Sequence, residues 1–257
     1  SAPMRAVIIG AGRGSRLGPE TERIPKTLVE VMGRPMLDWI LDALAAGGFR
    51  RSDVVFVCGY AEGVLRERYP ELTYVRNADW ERNNILASLM TARDHLAEGF
   101  LSTYSDIVYD GSIVAHLVRS PHEFVLGCDT AWRRRYAARS QHPETDAEKL
   151  RAEGERVFEV SRRIPSEAAQ GEFIGVMRLT AAAAGRFVAA YDRARATHEG
   201  RIFREGRRFE RAYLIDLVQE RIEQGEVVHR VDTNGGYMEI DTEQDLGLAA
   251  RWWGTRP

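Results

Sequence analysis

Short apolar runs, separated by glycine, proline and polar clusters, set the rhythm of this chain. Met4 to Ile9 is one such run, closed by glycines, the pattern of a parallel strand buried on both faces. Pro35 to Ala46 places Met36, Ile40, Leu41 and Leu44 at helical spacing, and Gly47-Gly48 stops it. The same reading predicts strands over Val54 to Cys58, Leu72 to Val75, Phe100 to Ser105 and Phe124 to Cys128. Helices fall between them at Ala61 to Tyr69, Asn84 to Leu96 and Gly111 to Arg119. Such alternation predicts a parallel sheet with helices on both faces.

The pattern changes after Asp129. Trp132 to Glu148 is polar and Arg-rich, and Leu150 to Val160 reads as a hairpin turning at Glu153-Gly154-Glu155. Phe173 to Leu179 and Val227 to Val231 read as strands, Ala181 to Ala196 and Glu210 to Glu223 as helices. Thr242 to Trp253 is a closing helix with Thr242 as its N-cap, and Trp252 and Trp253 are its packing residues. One domain over 4–254 is expected, with a core of 4–128 and 172–254. An insertion of about 129–171 covers part of the site. The expected fold is a Rossmann-like three-layer α/β/α sandwich with a mainly parallel, mixed sheet.

A length of 257 residues, 44% hydrophobic and 29% charged, is that of an ordinary globular chain and excludes disordered, collagen-like and disulfide-stapled classes. The formal charge of −2 gives no sign of a nucleic-acid or membrane partner, and no apolar run reaches the ~20 residues of a membrane helix. Met4-Arg5 leads straight into a strand, so no signal peptide is expected, and Ser1-Ala2-Pro3 reads as a cloning remnant. Cys58 and Cys128 follow apolar runs and are read as reduced core thiols of a cytoplasmic protein. Of 36 basic residues only Lys26 and Lys149 are lysines. Against that skew, each surviving lysine is either chance or a position that needs a compact ammonium.

The first strand runs into Gly10-Ala11-Gly12-Arg13-Gly14-Ser15-Arg16-Leu17-Gly18. Glycines there let backbone N–H groups approach an anion. A dinucleotide loop wants a third glycine and a clean helix start, which Ser15, Arg16 and Pro19 do not supply; a Walker loop wants a following lysine, which is absent. A triphosphate held by amides and by Arg13 and Arg16 suits the loop better, with a purely structural turn as the alternative. Pro25 then fixes the chain just before Lys26, whose ammonium suits charge developing on phosphoryl oxygens.

Gly-Ala-Gly-Arg-Gly-Ser-Arg-Leu, then Pro-Lys-Thr-Leu-Val, then Gly33-Arg34-Pro35-Met36, resembles the start of the sugar-phosphate and cytidylyl-type nucleotidyltransferases. The resemblance implies the nucleotide-diphospho-sugar transferase version of the fold. It also implies transfer of a nucleotidyl group from an NTP to a phosphorylated acceptor, with release of pyrophosphate. Asp106 ends a predicted strand, and Glu239 and Asp241 share one face of a second acidic strand. Mg²⁺ favours such carboxylates together with substrate phosphates, so Asp106 and Asp241 are its expected ligands and Glu239 a third or supporting one. Asp241 is equally suited to start a helix. The family carries an Asp after a mid-chain strand and another late in the chain. In this reading Lys26 and Arg16 are the catalytic cations, and no general base is needed because the acceptor oxygen is already ionised.

Gly59-Tyr60, Asn77 and Asn83 are candidates for the base and ribose pocket, with Ser105 beside it; Asn83 is also a candidate N-cap. Asn83 to Leu89 resembles the choline-phosphate and phosphonate cytidylyltransferase branch, which implies CTP. Trp132, Arg133, Arg134, Arg135 and Arg139, with His142-Pro143, Glu148-Lys149, Gly171 to Gly175 and Ala212 to Asp216, resemble the phosphonate-linked members and phosphonate biosynthesis. Trp132, Arg133, Arg135, Arg139, Lys149 and Glu172 are therefore the expected acceptor contacts. The alternative for the arginines is a solvated helix face. The expected partners are CTP and a small anionic phosphonate or phosphate, with no nucleic acid and no membrane; a homodimer is left open. Two rivals remain inside the class, a choline-phosphate cytidylyltransferase and a sugar-1-phosphate uridylyl- or guanylyltransferase. A non-catalytic nucleotide sensor and a dinucleotide-dependent oxidoreductase lie outside it.

Overall fold

The structure is a computed structural model and describes residues 3–10, 17 and 24–252. Its main sheet has nine strands: β1 (Arg5–Gly10), β2 (Val54–Cys58), β3 (Thr73–Arg76), β4 (Phe100–Tyr104), β5 (Phe124–Asp129), β6 (Lys149–Glu153), β7 (Arg156–Ser161), β8 (Gly171–Leu179) and β9 (Val228–Thr233). Their spatial order is β3-β2-β1-β4-β8-β5-β9-β7-β6. Strands β1 to β4 pair in parallel, as does β9 with β5. The mainly parallel, mixed sheet stands as expected, its antiparallel member being β8, which runs between β4 and β5. The predicted hairpin is β6 and β7, and it belongs to the sheet rather than lying over it. β6 pairs back onto β8, so this end of the sheet closes on itself.

The alternation of side chains along the strands builds two apolar layers. Ala6, Ile8, Val54 and Phe56 face one layer, covered by α1 (Met36–Ala46), α2 (Glu62–Arg68), α4 (Gly111–Arg119) and α8 (Glu243–Trp252). Val7, Ile9, Val55 and Val57 face the other, covered by α3 (Ile85–Thr91), α6 (Ala181–His198) and α7 (Leu214–Glu223). The three-layer expectation stands. Both cysteines are free and buried in these layers. Among the described residues no helix is long and apolar enough to cross a membrane.

Three boundaries differ from the sequence reading. α3 stops at Thr91 and gives way to a 3₁₀ turn at Arg93–His95. Asn84, not Asn83, is its N-cap, accepting from Ile85 N at 2.8 Å. α7 starts at Leu214 rather than Glu210, because the Asp216 carboxylate accepts from Tyr213 N at 2.8 Å and fixes the first turn there. Inside the Arg-rich segment a short helix, α5 (Trp132–Ala137), forms.

β8 changes register between Phe173 and Met177, and Gly175 within that irregularity has φ +82°. A Cβ at Gly175 would overlap the Tyr104 ring. Gly175→Ala is therefore expected to destabilise by about 2 kcal/mol or more through strain and overlap. For a domain of this size that is a fall of roughly 4–8 °C in Tm. Thermal unfolding checks it, and an unchanged Tm would contradict it.

Candidate active site

Two acidic segments, 135 residues apart, meet through backbone pairing. Beyond β4 the chain turns at Ser105-Asp106 and forms a short strand, Ile107–Tyr109. Tyr237–Glu239 pairs antiparallel with it, Tyr237 opposite Tyr109 and Glu239 opposite Ile107. Ile240 N then donates to the Asp106 carbonyl at 2.7 Å. This register brings Asp241 beside Asp106, and their carboxyl groups lie within hydrogen-bond reach of each other. Pro25 leads into a one-turn 3₁₀ helix, Lys26–Leu28, anchored by buried Thr27 and Leu28. Lys26 Nζ consequently reaches Asp241 Oδ1 at 2.7 Å and Asp106 Oδ2 at 3.4 Å.

A buried network braces this cluster. Asp241 N and Thr242 N donate to Asp245 Oδ2 at 2.9 and 3.0 Å, and Asp245 N donates back to Thr242 Oγ1 at 3.2 Å. Arg139 grips Asp245 through Nε and Nη2 at 2.9 and 3.0 Å. Arg139 Nη2 also lies 2.6 Å from His142 Nδ1. As an arginine only donates, Nδ1 is the accepting nitrogen. His142 Nε2 is then left as the N–H facing Glu239 Oε1 at 3.3 Å. Burial and the neighbouring Arg139 push His142 below its ordinary pKa, consistent with a neutral ring.

The carboxyl groups are held in different states. Burial opposes the Lys26 charge, but Asp106, Asp241 and Glu239 more than offset it and raise its pKa. Burial also works against ionised Asp241, yet Lys26 holds it well below the usual carboxylate range. Burial drives Asp106 up to about 6, with Lys26 opposing and Asp241 reinforcing the shift. Burial and the charge of Asp241 push Glu239 up. Such crowding of acids suits a divalent cation. His142, Glu239 and Asp241 each offer a ligand atom within 4.8 Å of one another. With His142 Nδ1 engaged by Arg139, the oxygen donors of Asp106, Glu239 and Asp241 are the better match to a hard cation.

The cluster sits in a cleft of about 760 Å³. Of the expected residues, Gly10, Lys26, Asn83, Ser105, Asp106, Glu172, Glu239 and Asp241 line it. A Cβ on Gly10 would come within 2.6 Å of the Phe56 ring, so packing alone requires glycine there. Ala11, Gly12, Arg13, Gly14, Ser15 and Arg16 lie outside the described residues. Tyr60 packs on Trp80 with centroids 6.0 Å apart, and Trp80 rather than Tyr60 lines the cleft. The Asn83 amide is matched to Asn77 by two reciprocal bonds of 2.8 and 3.1 Å.

The Arg-rich segment is placed differently from the expectation. Trp132, Arg133, Arg135, Arg139 and Lys149 are not among the described residues lining the cleft. Trp132 is buried against Tyr136 and Ala147, and Arg133 is exposed and paired with Glu144. Arg135 is buried and bonded to Asp129 and Glu172. Lys149 is buried in β6, and burial lowers its pKa. The cleft is instead walled by Trp80, Tyr104, Tyr136, Phe173, Tyr213 and Tyr237, with Glu148 and Arg162. Sequence reasoning missed Arg162, Trp80 and Tyr104. Arg162 had no signal beyond following the hairpin, Trp80 carried none, and Tyr104 stood out only as the residue two before Asp106.

Among the described lining residues, seven carboxylates (Glu81, Asp106, Asp146, Glu148, Glu172, Glu239, Asp241) face three permanent cations (Lys26, Arg162, Arg211). A polyphosphate entering this part of the cleft would be favoured by further positive charge brought with it.

A sheet opened by a glycine-ended strand, with a lysine and two remote aspartates converging in one cleft, is the architecture of a nucleotidyltransferase. The chain belongs to the family of the MobA-like NTP transferase domain, whose profile matches residues 6–172. It is 25% identical over 253 residues to the CTP:phosphoglutamine cytidylyltransferase of Campylobacter jejuni, covering 95% of this chain and 98% of that protein. It is 37% identical over 97 residues to the 2-aminoethylphosphonate cytidylyltransferase of Lancefieldella rimae, 37% of this chain and 39% of that one. The CTP:phosphocholine cytidylyltransferase of Streptococcus pneumoniae superposes with a TM-score of 0.69 at 19% identity, over 96% of this chain and 98% of that one, a likeness of fold.

Glu148 reports on the electrostatics of the cleft. It accepts from Tyr104 Oη at 2.9 Å, and burial raises its pKa to about 7, above the ordinary 4.5. The folded state thus holds this proton more tightly than the unfolded chain. Ionised Glu148 lowers stability above pH 7, and the penalty is gone below pH 4.5. Glu148→Gln keeps an acceptor for Tyr104. It is expected to raise stability at pH 8.5 by up to about 3 kcal/mol and to change it little at pH 4.5. Paired melts at the two pH values check this, and an equal effect at both would contradict it.

Proposed function

We propose that this nucleotidyltransferase is a Mg²⁺-dependent cytidylyltransferase that moves CMP from CTP to a small phosphonate or phosphorylated acceptor and releases pyrophosphate. The observation that carries the reading is the convergence of Lys26, Asp106 and Asp241 at one point of an acid-rich cleft. The choice of CTP is supported by similarity to a CTP-using relative along nearly the whole chain.

In this reading an ionised acceptor oxygen attacks the α-phosphorus in line with the departing pyrophosphate. A phosphonate or phosphate oxygen is already deprotonated at neutral pH, so no side chain has to remove a proton. Asp106 and Asp241, supported by Glu239, would hold Mg²⁺. When bound, the metal supplies Lewis-acid stabilisation of charge on the phosphoryl oxygens. Lys26 contributes a permanently protonated ammonium at the same place, fixed by Pro25 and by the acids around it. Segment 10–16 is assigned the triphosphate, with Arg16 adding charge to its backbone amides. The aromatic walls exclude water from the acceptor half.

A second reading of the acceptor, a phosphocholine-type substrate, is favoured by one observation. Rings of Tyr104, Tyr136, Tyr213 and Tyr237 stand beside Glu148 and Glu172, and aromatic faces with carboxylates suit a substituted ammonium. Both readings share one test. The purified protein is incubated with each of four NTPs and Mg²⁺ against 2-aminoethylphosphonate, phosphocholine and glucose 1-phosphate, and pyrophosphate is measured. Release is expected with CTP and with the phosphonate or phosphocholine, and EDTA is expected to abolish it. Lys26→Ala and Asp106→Asn are each expected to lower kcat by roughly 10²–10³ without loss of fold. No pyrophosphate from CTP with any acceptor, or near-normal turnover of either variant, would sink the assignment.

A further inference from the structure

We propose that Arg162 is the acceptor's anion-binding residue: its guanidinium, carried on the turn after β7, receives the phosphonyl or phosphoryl group that attacks the nucleotide. The inference rests on the nucleotidyl-transfer reading and deepens it by naming a specificity-determining contact.

Among the described residues, the other half-buried and buried arginines are committed. Arg135 holds Asp129 and Glu172, Arg139 holds Asp245, and Arg207 holds Asp216 at 2.8 and 2.9 Å. Arg178 donates to three backbone carbonyls. Arg162 differs. It lines the cleft and makes no hydrogen bond or ion pair with any described residue, and its Nε is buried without an acceptor. Its one close partner is a ring, with the guanidinium carbon 4.3 Å from the Tyr213 centroid. A guanidinium stacked on an aromatic face keeps its N–H edge free for a planar or tetrahedral oxyanion.

The support for this residue is itself built. Arg163 N donates to Ser161 Oγ at 3.0 Å, which shapes the turn. Ile164 is buried and anchors its far side. The Tyr213 ring is pinned by Arg207, whose guanidinium carbon lies 3.8 Å from its centroid. Arg162 is therefore pre-positioned at the cleft, where it feels the charge of Glu148 through space but forms no ion pair with a described residue, in contrast to Lys26, which two aspartates already engage. The remaining cation of the described lining, Arg211, is exposed. An anionic acceptor entering this acid-rich half of the cleft has Arg162 as its built-in fork.

The test uses ethylphosphonate as the probe, titrated by ³¹P NMR into protein carrying Mg²⁺ and the non-hydrolysable α,β-methylene analogue of CTP. Arg162→Gln is expected to weaken ethylphosphonate binding about 10- to 100-fold, with the nucleotide analogue bound within twofold of wild type. Arg162→Lys, which keeps charge but not the fork, is expected to fall between them and also serves should the Gln variant not fold. With the acceptor that turns over best, the loss is expected in the acceptor KM and not in the KM for CTP. Equal ethylphosphonate affinity in Arg162→Gln, a parallel loss of the nucleotide analogue, or no ethylphosphonate binding to wild type overturns the proposal. Turnover with an acceptor KM independent of Arg162 refutes this inference alone. Arg162-dependent ethylphosphonate binding without any turnover refutes the enzymatic reading alone.

Discussion

The three-residue ribbon between Ile107–Tyr109 and Tyr237–Glu239 is the constraint on which the site depends. It closes a loop of more than a hundred residues with a handful of backbone bonds and leaves Asp106 and Asp241 on either side of Lys26. Closing so long a loop is entropically unfavourable, and so short a ribbon does not offset that alone. The burial of Ile107, Val108, Tyr109 and Met238 in the layer beneath α1 and α8 does. Hydrophobic packing thus sets the register, and the register sets the electrostatics. A slip of one residue would turn Asp241 away from the ammonium. Lys26 would then be left buried without its nearest counter-charge, a loss on the order of 3–5 kcal/mol for a broken buried pair.

The arginines show the same division of labour. The cluster from Arg133 to Arg139 reads from sequence as a charged surface offered to an anion. In the fold, Arg135 and Arg139 point inward and are clamped by Asp129, Glu172 and Asp245. Each brace ends on a residue that shapes the cleft: Glu172 lines it directly, and Asp245 fixes the backbone of Asp241. A planar fork that reaches two acceptors at once suits this work, which a lysine in the same place would not do.

Much of the fold was legible because it follows from local signals: β1, β2 and β4, the hairpin, Thr242 as a cap, and strand–helix alternation. Lys26, Asp106 and Asp241 were legible because each sits at a break in the apolar pattern, where a side chain must leave the core. Their meeting was not readable from spacing and came from the resemblance. The antiparallel course of β8 and the closure of β6 onto it were hidden, since a run such as Phe173 to Leu179 carries no sign of direction. The roles of the arginines were hidden for a related reason. Sequence gives the number of charges in a segment but not which carboxylates long-range pairing brings to them. Arg162 illustrates the converse, one basic residue among many, singled out only because it lines the cleft with no hydrogen bond or ion pair to a described residue.

Electrostatic balance ties these observations together. The described walls of the cleft carry more negative than positive charge, and the crowded acids around Lys26 are held in unequal states by burial and by one another. A bare triphosphate adds negative charge to the described walls, whereas a triphosphate already carrying a divalent ion brings positive charge with it. In the proposed reading these acids would favour the metal-loaded form of the nucleotide over the bare one. The cost of holding buried carboxyl groups above their ordinary pKa would be the means by which that preference is stored in the folded chain.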